Sequence, residues 1–308
     1  MINFTHNNHL KYYIGGRLFG FRNNPFEKYE AKVGRIDMAH FKKSSWLQEQ
    51  YRIADLIYRD LGKDFVVMFS GGTDSEIVLR SFKHIGVTPR PVFIKFKGDY
   101  NLGELIAALE VTDDLGIELE VIEFDIIDFY LSGEATEFNK AIQSTSTAFS
   151  IIFNQVLKLQ TAAIMGGSFT LVRNPTVFGS IWVADFTESE GASVRLSNKY
   201  GIPLLHEWFS YTPEVIGYFL EHPALHEVIT NNNLYKNYTD GVKNAIFKNW
   251  MPSIISKKKK TGYETIRGFR YENDLQNHRI SPRLESCIDG IPLEALMLQL
   301  YGENYGSN

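Results

Sequence analysis

A chain of 308 residues, 44% hydrophobic and 22% charged, has the make-up of a globular protein with a substantial core, which excludes a disordered or fibrous class. A formal charge of -4 argues against a dedicated nucleic-acid binder, and a single cysteine, Cys287, excludes an internal disulfide or a CxxC pair. No run approaches the roughly 18 apolar residues that span a bilayer, and Met1–Asn8 lacks the basic and apolar regions of a signal peptide, so no membrane partner and a cytoplasmic location are expected.

Residues 1–43 read as a small strand and loop element. Two short apolar runs, Leu10–Ile14 and Arg17–Phe21, flank Gly15-Gly16 and predict a hairpin. Ser44-Ser45 then opens a helix in which Leu47, Tyr51, Ala54, Ile57, Tyr58 and Leu61 recur at helical spacing, and Gly62 closes it. The strand Phe65–Phe69 follows, then a helix over 75–84. A strand over 91–96, a helix from Asn101 to Leu115 stopped by Gly116, and a strand over 119–124 continue the alternation. A helix over 144–161 leads into the strand Ala162–Met165. Short apolar runs separated by helical patterns predict βαβ units, hence an α/β fold with a parallel twisted sheet and helices on both faces. From about residue 175 the chain reads as irregular and mostly helical. Three regions are expected: 1–43, 44–270 and a helical tail over 271–308.

The richest stretch is Ser70-Gly71-Gly72-Thr73-Asp74-Ser75, set where an apolar strand runs into an amphipathic helix. The first-turn N–H groups and the positive end of the helix dipole converge there on one spot, which suits an anion. Gly71 and Gly72 let the backbone approach that anion. Ser70, Thr73 and Ser75 add hydroxyl donors, and Asp74 is placed to hold a Mg2+ that phosphates carry. The Walker A spacing is absent. The plain alternative is a Gly-Ser turn between a core strand and a core helix.

This loop resembles the SGGxDS loop of the PP-loop, or N-type ATP pyrophosphatase, superfamily, whose members grip the pyrophosphate of ATP and release AMP and pyrophosphate. Within it, the synthetase domain of the asparagine synthetase family is similar in three further places. Trp250–Tyr263 contains a Met-Pro, a short apolar stretch, the run Lys257-Lys258-Lys259-Lys260 and Gly262-Tyr263; Arg195, with Tyr200–Leu205, and Tyr211–Leu220 follow the family's order. The resemblance spans about residues 45–270. It implies an adenine-nucleotide α-hydrolase-like fold and an AMP-forming amide ligase that uses ATP and Mg2+. It implies that Met68 and Gly166 flank the adenosine, that Asp74 binds the metal, and that Lys260, with Lys258 as second candidate, meets the charge developing in the transition state. Read alone, the lysine run is a solvated basic loop; its place after the SGG loop, in the family's order, is what makes it a site candidate. The implied partners are a small-molecule carboxylate and an amine or ammonia. A homodimer is a candidate assembly, with residues 1–43 as a dimerisation or lid element.

The chain also departs from that pattern. Where the family carries an acidic Gly-Glu-Gly-Ala-Asp-Glu type loop, the chain has Met165–Leu171, which keeps the glycines without the carboxylates; Asp185, Glu188 and Glu190 are the nearest acids in sequence. Ile2 stands where glutamine-dependent members have a cysteine nucleophile, so glutamine hydrolysis by that route is not expected. Two alternatives stay open: a PP-loop enzyme that modifies tRNA or a nucleobase, and a non-catalytic ATP-binding regulatory protein. The pair His222 and His226 has i,i+4 spacing, but Pro223 between them reads as a helix end rather than a metal site.

Overall fold

A computed structural model describes residues 10–14, 17–18, 29–142, 147–167, 169–174, 181–185, 193, 196–197, 199–206, 208–230, 240–256, 262, 288–289 and 291–302. Among the described residues the strands, in chain order, are β1 Leu10–Ile14, β2 Arg17–Leu18, β3 Tyr29–Val33, β4 Phe65–Met68, β5 Arg90–Phe96, β6 Glu120–Phe124, β7 Ala162–Met165, β8 Thr170–Asn174, β9 Ile181–Asp185, β10 Leu204–Leu205, β11 Ile288–Asp289 and β12 Ile291–Pro292. The helices are α1 Met38–Phe41, α2 Trp46–Leu61, α3 Thr73–His84, α4 Leu102–Leu115, α5 Ile126–Leu131, α6 Glu134–Ile142, α7 Thr147–Leu159, α8 Pro213–Leu220, α9 Pro223–Thr230, α10 Asp240–Trp250 and α11 Leu293–Tyr301.

The central sheet has the order β10-β7-β4-β5-β6, and every pair in it is parallel. Strand β4 is buried along its whole length, so its residues read as a continuous apolar run rather than an alternating one. Alternate residues nevertheless serve opposite faces. Phe65, Val67, Phe93 and Ile164 join a core with Ile53 and Ile57 of α2, Ile77 and Phe82 of α3, and Val111 of α4. Val66, Met68, Val92, Ala163 and Met165 join a second core with Phe138 of α6 and Phe153 and Val156 of α7. The fold is therefore α/β, a parallel sheet with helices on both faces.

Chain direction reverses beside β4. The chain moves outward through β5 and β6, then returns to lay β7 on the other side of β4. That reversal opens a crevice at the C-terminal ends of β4 and β7, the place where open α/β sheets bind ligands.

Helix boundaries follow local chemistry. Ser45 caps α2 by accepting from Gln48 N at 3.3 Å, and Gly62 ends it at φ 67°. Thr212 caps α8 with Pro213 in its first turn. A buried carboxylate ties these two helices together, Glu49 Oε1 accepting from Thr212 Oγ1 and from Arg52 Nη1, each at 2.6 Å, and Glu214 Oε1 of α8 accepts from Asp37 N, the cap of α1, at 2.7 Å.

The expected hairpin near the N-terminus is present, with β1 and β2 antiparallel and Tyr13 opposite Leu18. Strand β3 pairs with β1, and β11 from the far end of the chain adds to β3. The expectation of a mostly helical part beyond about residue 175 agrees with the described residues, and a small sheet accompanies those helices. Helices α8 to α11 lie there, while β8 and β9 pair antiparallel and β12 joins them in a three-stranded sheet. Residues there satisfy their backbone groups by pairing over distances that no local pattern announces.

Candidate functional site

The stretch Ser70–Ser75 lies at the crevice, between the end of β4 and the start of α3. Phe69 N donates to Val92 O at 2.8 Å, which keeps the strand paired up to the turn. Ser70 is then exposed. Gly71 has φ +70° and lies flat on α4, where an added Cβ would stand 2.6 Å from Ala108 N and 3.0 Å from Glu104 O. Both the conformation and the contact require glycine there. Gly72 is the N-cap of α3, and no side chain caps the helix. Its carbonyl accepts from Glu76 N at 2.9 Å and from Ser75 Oγ at 3.1 Å. The first-turn N–H groups of a twelve-residue helix thus face the crevice with no capping side chain over them.

Gly166, at the end of β7, closes the other side of the turn. A Cβ built on it would lie 2.7 Å from Asp74 C and from Ser75 N. The stretch after β7 therefore packs directly on the loop with glycine rather than with a carboxylate, and Phe169 and Leu171 beyond it are buried in the core.

Two buried charged residues that sequence reasoning missed complete the turn. Glu76 is fully buried. Its Oε1 accepts from Arg80 Nε at 2.7 Å and Ile255 N at 2.9 Å, and its Oε2 from Ser256 N at 2.8 Å and from Ser256 Oγ. Ser256 Oγ also reaches Gly71 O at 3.3 Å. Lys243, on α10, brings its Nζ to 2.9 Å from Asp74 Oδ2, with the lysine side chain only 7% exposed and the aspartate 24%. Farther along, buried Gly262 touches Asn101 at the start of α4 and donates its N–H to Glu104 Oε2 at 3.4 Å.

Beside Ser70 lies a cavity of roughly 230 Å³, lined by Met68, Phe69, Ser70, Ile94, Glu104 and Ile152 among others. It falls short of the ~300 Å³ at which pockets for drug-sized ligands begin, so it suits a planar ring system rather than a whole nucleotide. Asn101 shapes its wall by donating from Nδ2 to Ile94 O and accepting from Phe96 N at Oδ1, both at 2.8 Å.

The structure thus brings Met68, Ser70, Gly71, Gly72, Thr73, Asp74, Ser75 and Gly166 into one place. Lys258 and Lys260 lie outside the described residues, as do Arg195, Glu188 and Glu190. His222 is used structurally: its Nδ1 accepts from Ala224 N at 3.1 Å at the start of α9, its ring meets Trp250 edge-on, and burial lowers its pKa below the ordinary 6.5.

Asp74 is the one carboxylate on the loop itself, and among the described residues no cluster of three or more His, Cys, Asp or Glu side chains could hold a metal ion. One carboxylate beside an anion cradle fits Mg2+ that arrives on phosphates and keeps its waters, and does not fit a resident ion in an all-protein cage. Among the described residues, no helix is long and apolar enough to cross a membrane.

No protein-family model matches the chain, and no curated protein matches it. Solved structures give low-scoring likenesses. The "predicted subunit of tRNA methyltransferase" from Methanocaldococcus jannaschii has a TM-score of 0.30 and 17% identity, covering 47% of this chain and 67% of that one. The NMN synthetase of Francisella tularensis gives 0.31 and 13% identity, covering 79% and 97%. An NH3-dependent NAD synthetase from Campylobacter jejuni gives 0.29 and 14% identity, covering 78% and 93%. Scores this low carry no argument about function, which rests on the geometry of the loop.

Proposed function

We propose that this protein is a PP-loop enzyme that binds ATP at Ser70–Ser75 and uses it to adenylate a small-molecule carboxylate or carbonyl. The observation that carries this reading is the turn itself. A parallel strand ends at a switch point, a glycine at φ +70° is pressed on a neighbouring helix, and a helix begins with no capping side chain beside a ring-sized cavity. The β- and γ-phosphates sit at the N–H groups of Gly72–Ser75, and the base enters the cavity beside Met68. Asp74 would hold Mg2+ carried on the phosphates, which would offset their charge.

A substrate oxygen attacks the α-phosphorus, and the bond to the α,β-bridging oxygen breaks. Pyrophosphate leaves with that electron pair, held by the helix N-terminus. Ammonia or an amine then attacks the activated carbon, loses a proton and expels AMP. Lys260, with Lys258 beside it, is the candidate cation for the α-phosphate. Both described ends of their segment support this: Ser256 reaches Gly71 O, and Gly262 lies on Asn101 next to Glu104.

One observation favours a second reading. The stretch after β7 reaches the loop with Gly166 and carries no acid there, which fits a protein that binds ATP without turning it over. Product analysis separates the two. With ATP, Mg2+ and a metabolite extract, the synthetase reading predicts AMP and pyrophosphate, abolished in Asp74→Ala and reduced in Lys260→Ala. ATP binding with no turnover selects the regulatory reading. Formation of ADP and phosphate overturns both.

A further inference from the structure

Asp74 carries an unusual partner for a residue assigned to a metal. The Lys243 ammonium reaches it from α10, 169 residues away in sequence, at 2.9 Å, and that lysine side chain is 7% exposed. We propose that Lys243 makes cation binding conditional on the anion: a divalent ion takes Asp74 only when a polyphosphate is present to receive the lysine. This deepens the nucleotide reading of the loop and rests on it.

The argument is one of charge. Without ligand, the carboxylate and ammonium neutralise each other, so the turn has little attraction for a bare cation. An ion arriving alone must displace the ammonium from Asp74, so that two positive charges compete for one carboxylate in a largely buried place. A polyphosphate removes that conflict. Asp74 is the second residue of α3, so Lys243 already stands at the helix N-terminus where phosphate oxygens collect. The ammonium exchanges a carboxylate oxygen for a phosphate oxygen, and the released carboxylate faces the ion that the phosphate brought. No covalent step is involved; four charged groups exchange partners.

By linkage, the factor by which pyrophosphate strengthens cation binding equals the factor by which the cation strengthens pyrophosphate binding. Titration calorimetry with MgCl2 and sodium pyrophosphate, each alone and each with the other saturating, measures both sides. In the unaltered protein Mg2+ alone binds weakly, and pyrophosphate strengthens it by about tenfold or more, the range of ordinary coupling. In Lys243→Met, Mg2+ alone binds about tenfold more tightly than in the unaltered protein, and the coupling factor shrinks by the same amount. Lys243→Arg, which keeps the charge, retains the coupling.

A lysine that merely supported the fold would weaken both ligands on removal, so tighter binding of the bare ion marks the proposed role. Lys243→Gln keeps a hydrogen-bond donor for Asp74 without the charge and gives the same readout should Lys243→Met not fold. Bare Mg2+ binding no tighter in the neutral variants, with both ligands still binding the unaltered protein, overturns the coupling alone. Failure of the unaltered protein to bind pyrophosphate or ATP with Mg2+ overturns the nucleotide reading beneath it.

Discussion

Replacing Glu76 with alanine tests how the loop is held to the second half of the chain. The fully buried carboxylate receives Ile255 N, Ser256 N, Ser256 Oγ and Arg80 Nε. Alanine leaves two backbone N–H groups and a hydroxyl short of an acceptor, at about 1–3 kcal/mol for each donor that stays buried. Arg80 is eased by Asp114, whose Oδ2 it also reaches at 2.7 Å, so its loss is partial. Ser256 Oγ is likewise eased by Gly71 O. The two backbone groups therefore dominate, and the sum is about 3–5 kcal/mol, the range for breaking one side of a buried charged contact. At roughly 2 °C per kcal/mol for a chain of this size, the melting temperature falls by about 6–10 °C. Differential scanning calorimetry gives the shift, and a cycle with Ser256→Ala isolates the pairwise part, expected within about 0.5–3 kcal/mol. A melting temperature within about 1 °C of the unaltered protein would refute the reasoning, because it would mean that these donors find water or other partners at no cost.

Gly71→Ala meets both an unfavourable φ and backbone atoms at 2.6 Å, whereas Gly62→Ala at φ 67° meets open space. Gly62→Ala is expected to lose about 1–3 kcal/mol, the cost of a backbone region at φ 67° and ψ -143° that essentially only glycine adopts. Gly71→Ala is expected to lose more and also to lose ATP affinity, as read by denaturant titration and calorimetry. Burial of His222 lowers its pKa below 6.5, so the neutral ring is the form the fold prefers. Its contribution is complete above pH 6.5 and is lost as pH falls through the lowered folded value. Protonation also ends acceptance from Ala224 N, so melting temperature drops between pH 7 and pH 5 more steeply than in His222→Asn, which keeps an acceptor and does not titrate.

Strands β4 to β7 and helices α2, α3 and α4 were legible because each carries its own signals, whereas β3, α1, α5 and α6 were not expected from the sequence. Ser45 and Gly62 bracket α2, Gly116 ends α4 in the left-handed conformation, and β4 to β7 are short apolar runs between helical patterns. Strands β8 and β9 gave no such warning, since Thr170–Asn174 and Ile181–Asp185 mix apolar and polar residues and find their third strand in β12, over a hundred residues later. The glycines and hydroxyls of the loop were legible for the same reason as the helices: strand, turn and helix start are contiguous. Glu76 and Lys243 were not. Glu76 reads as the polar face of α3 until Ser256 arrives from 180 residues away, and Lys243 is an ordinary helix lysine until α10 packs against the turn. Charge partners set by tertiary packing leave no periodicity to read.

The measurement that bears most directly on the central claim is a crystal structure with Mg2+ and an ATP analogue whose α,β-bridge is a methylene. The account predicts the terminal phosphates on the N–H groups of Gly72–Ser75, the ring beside Met68, and Lys243 moved from Asp74 onto a phosphate oxygen. Phosphates bound away from the start of α3 would contradict it.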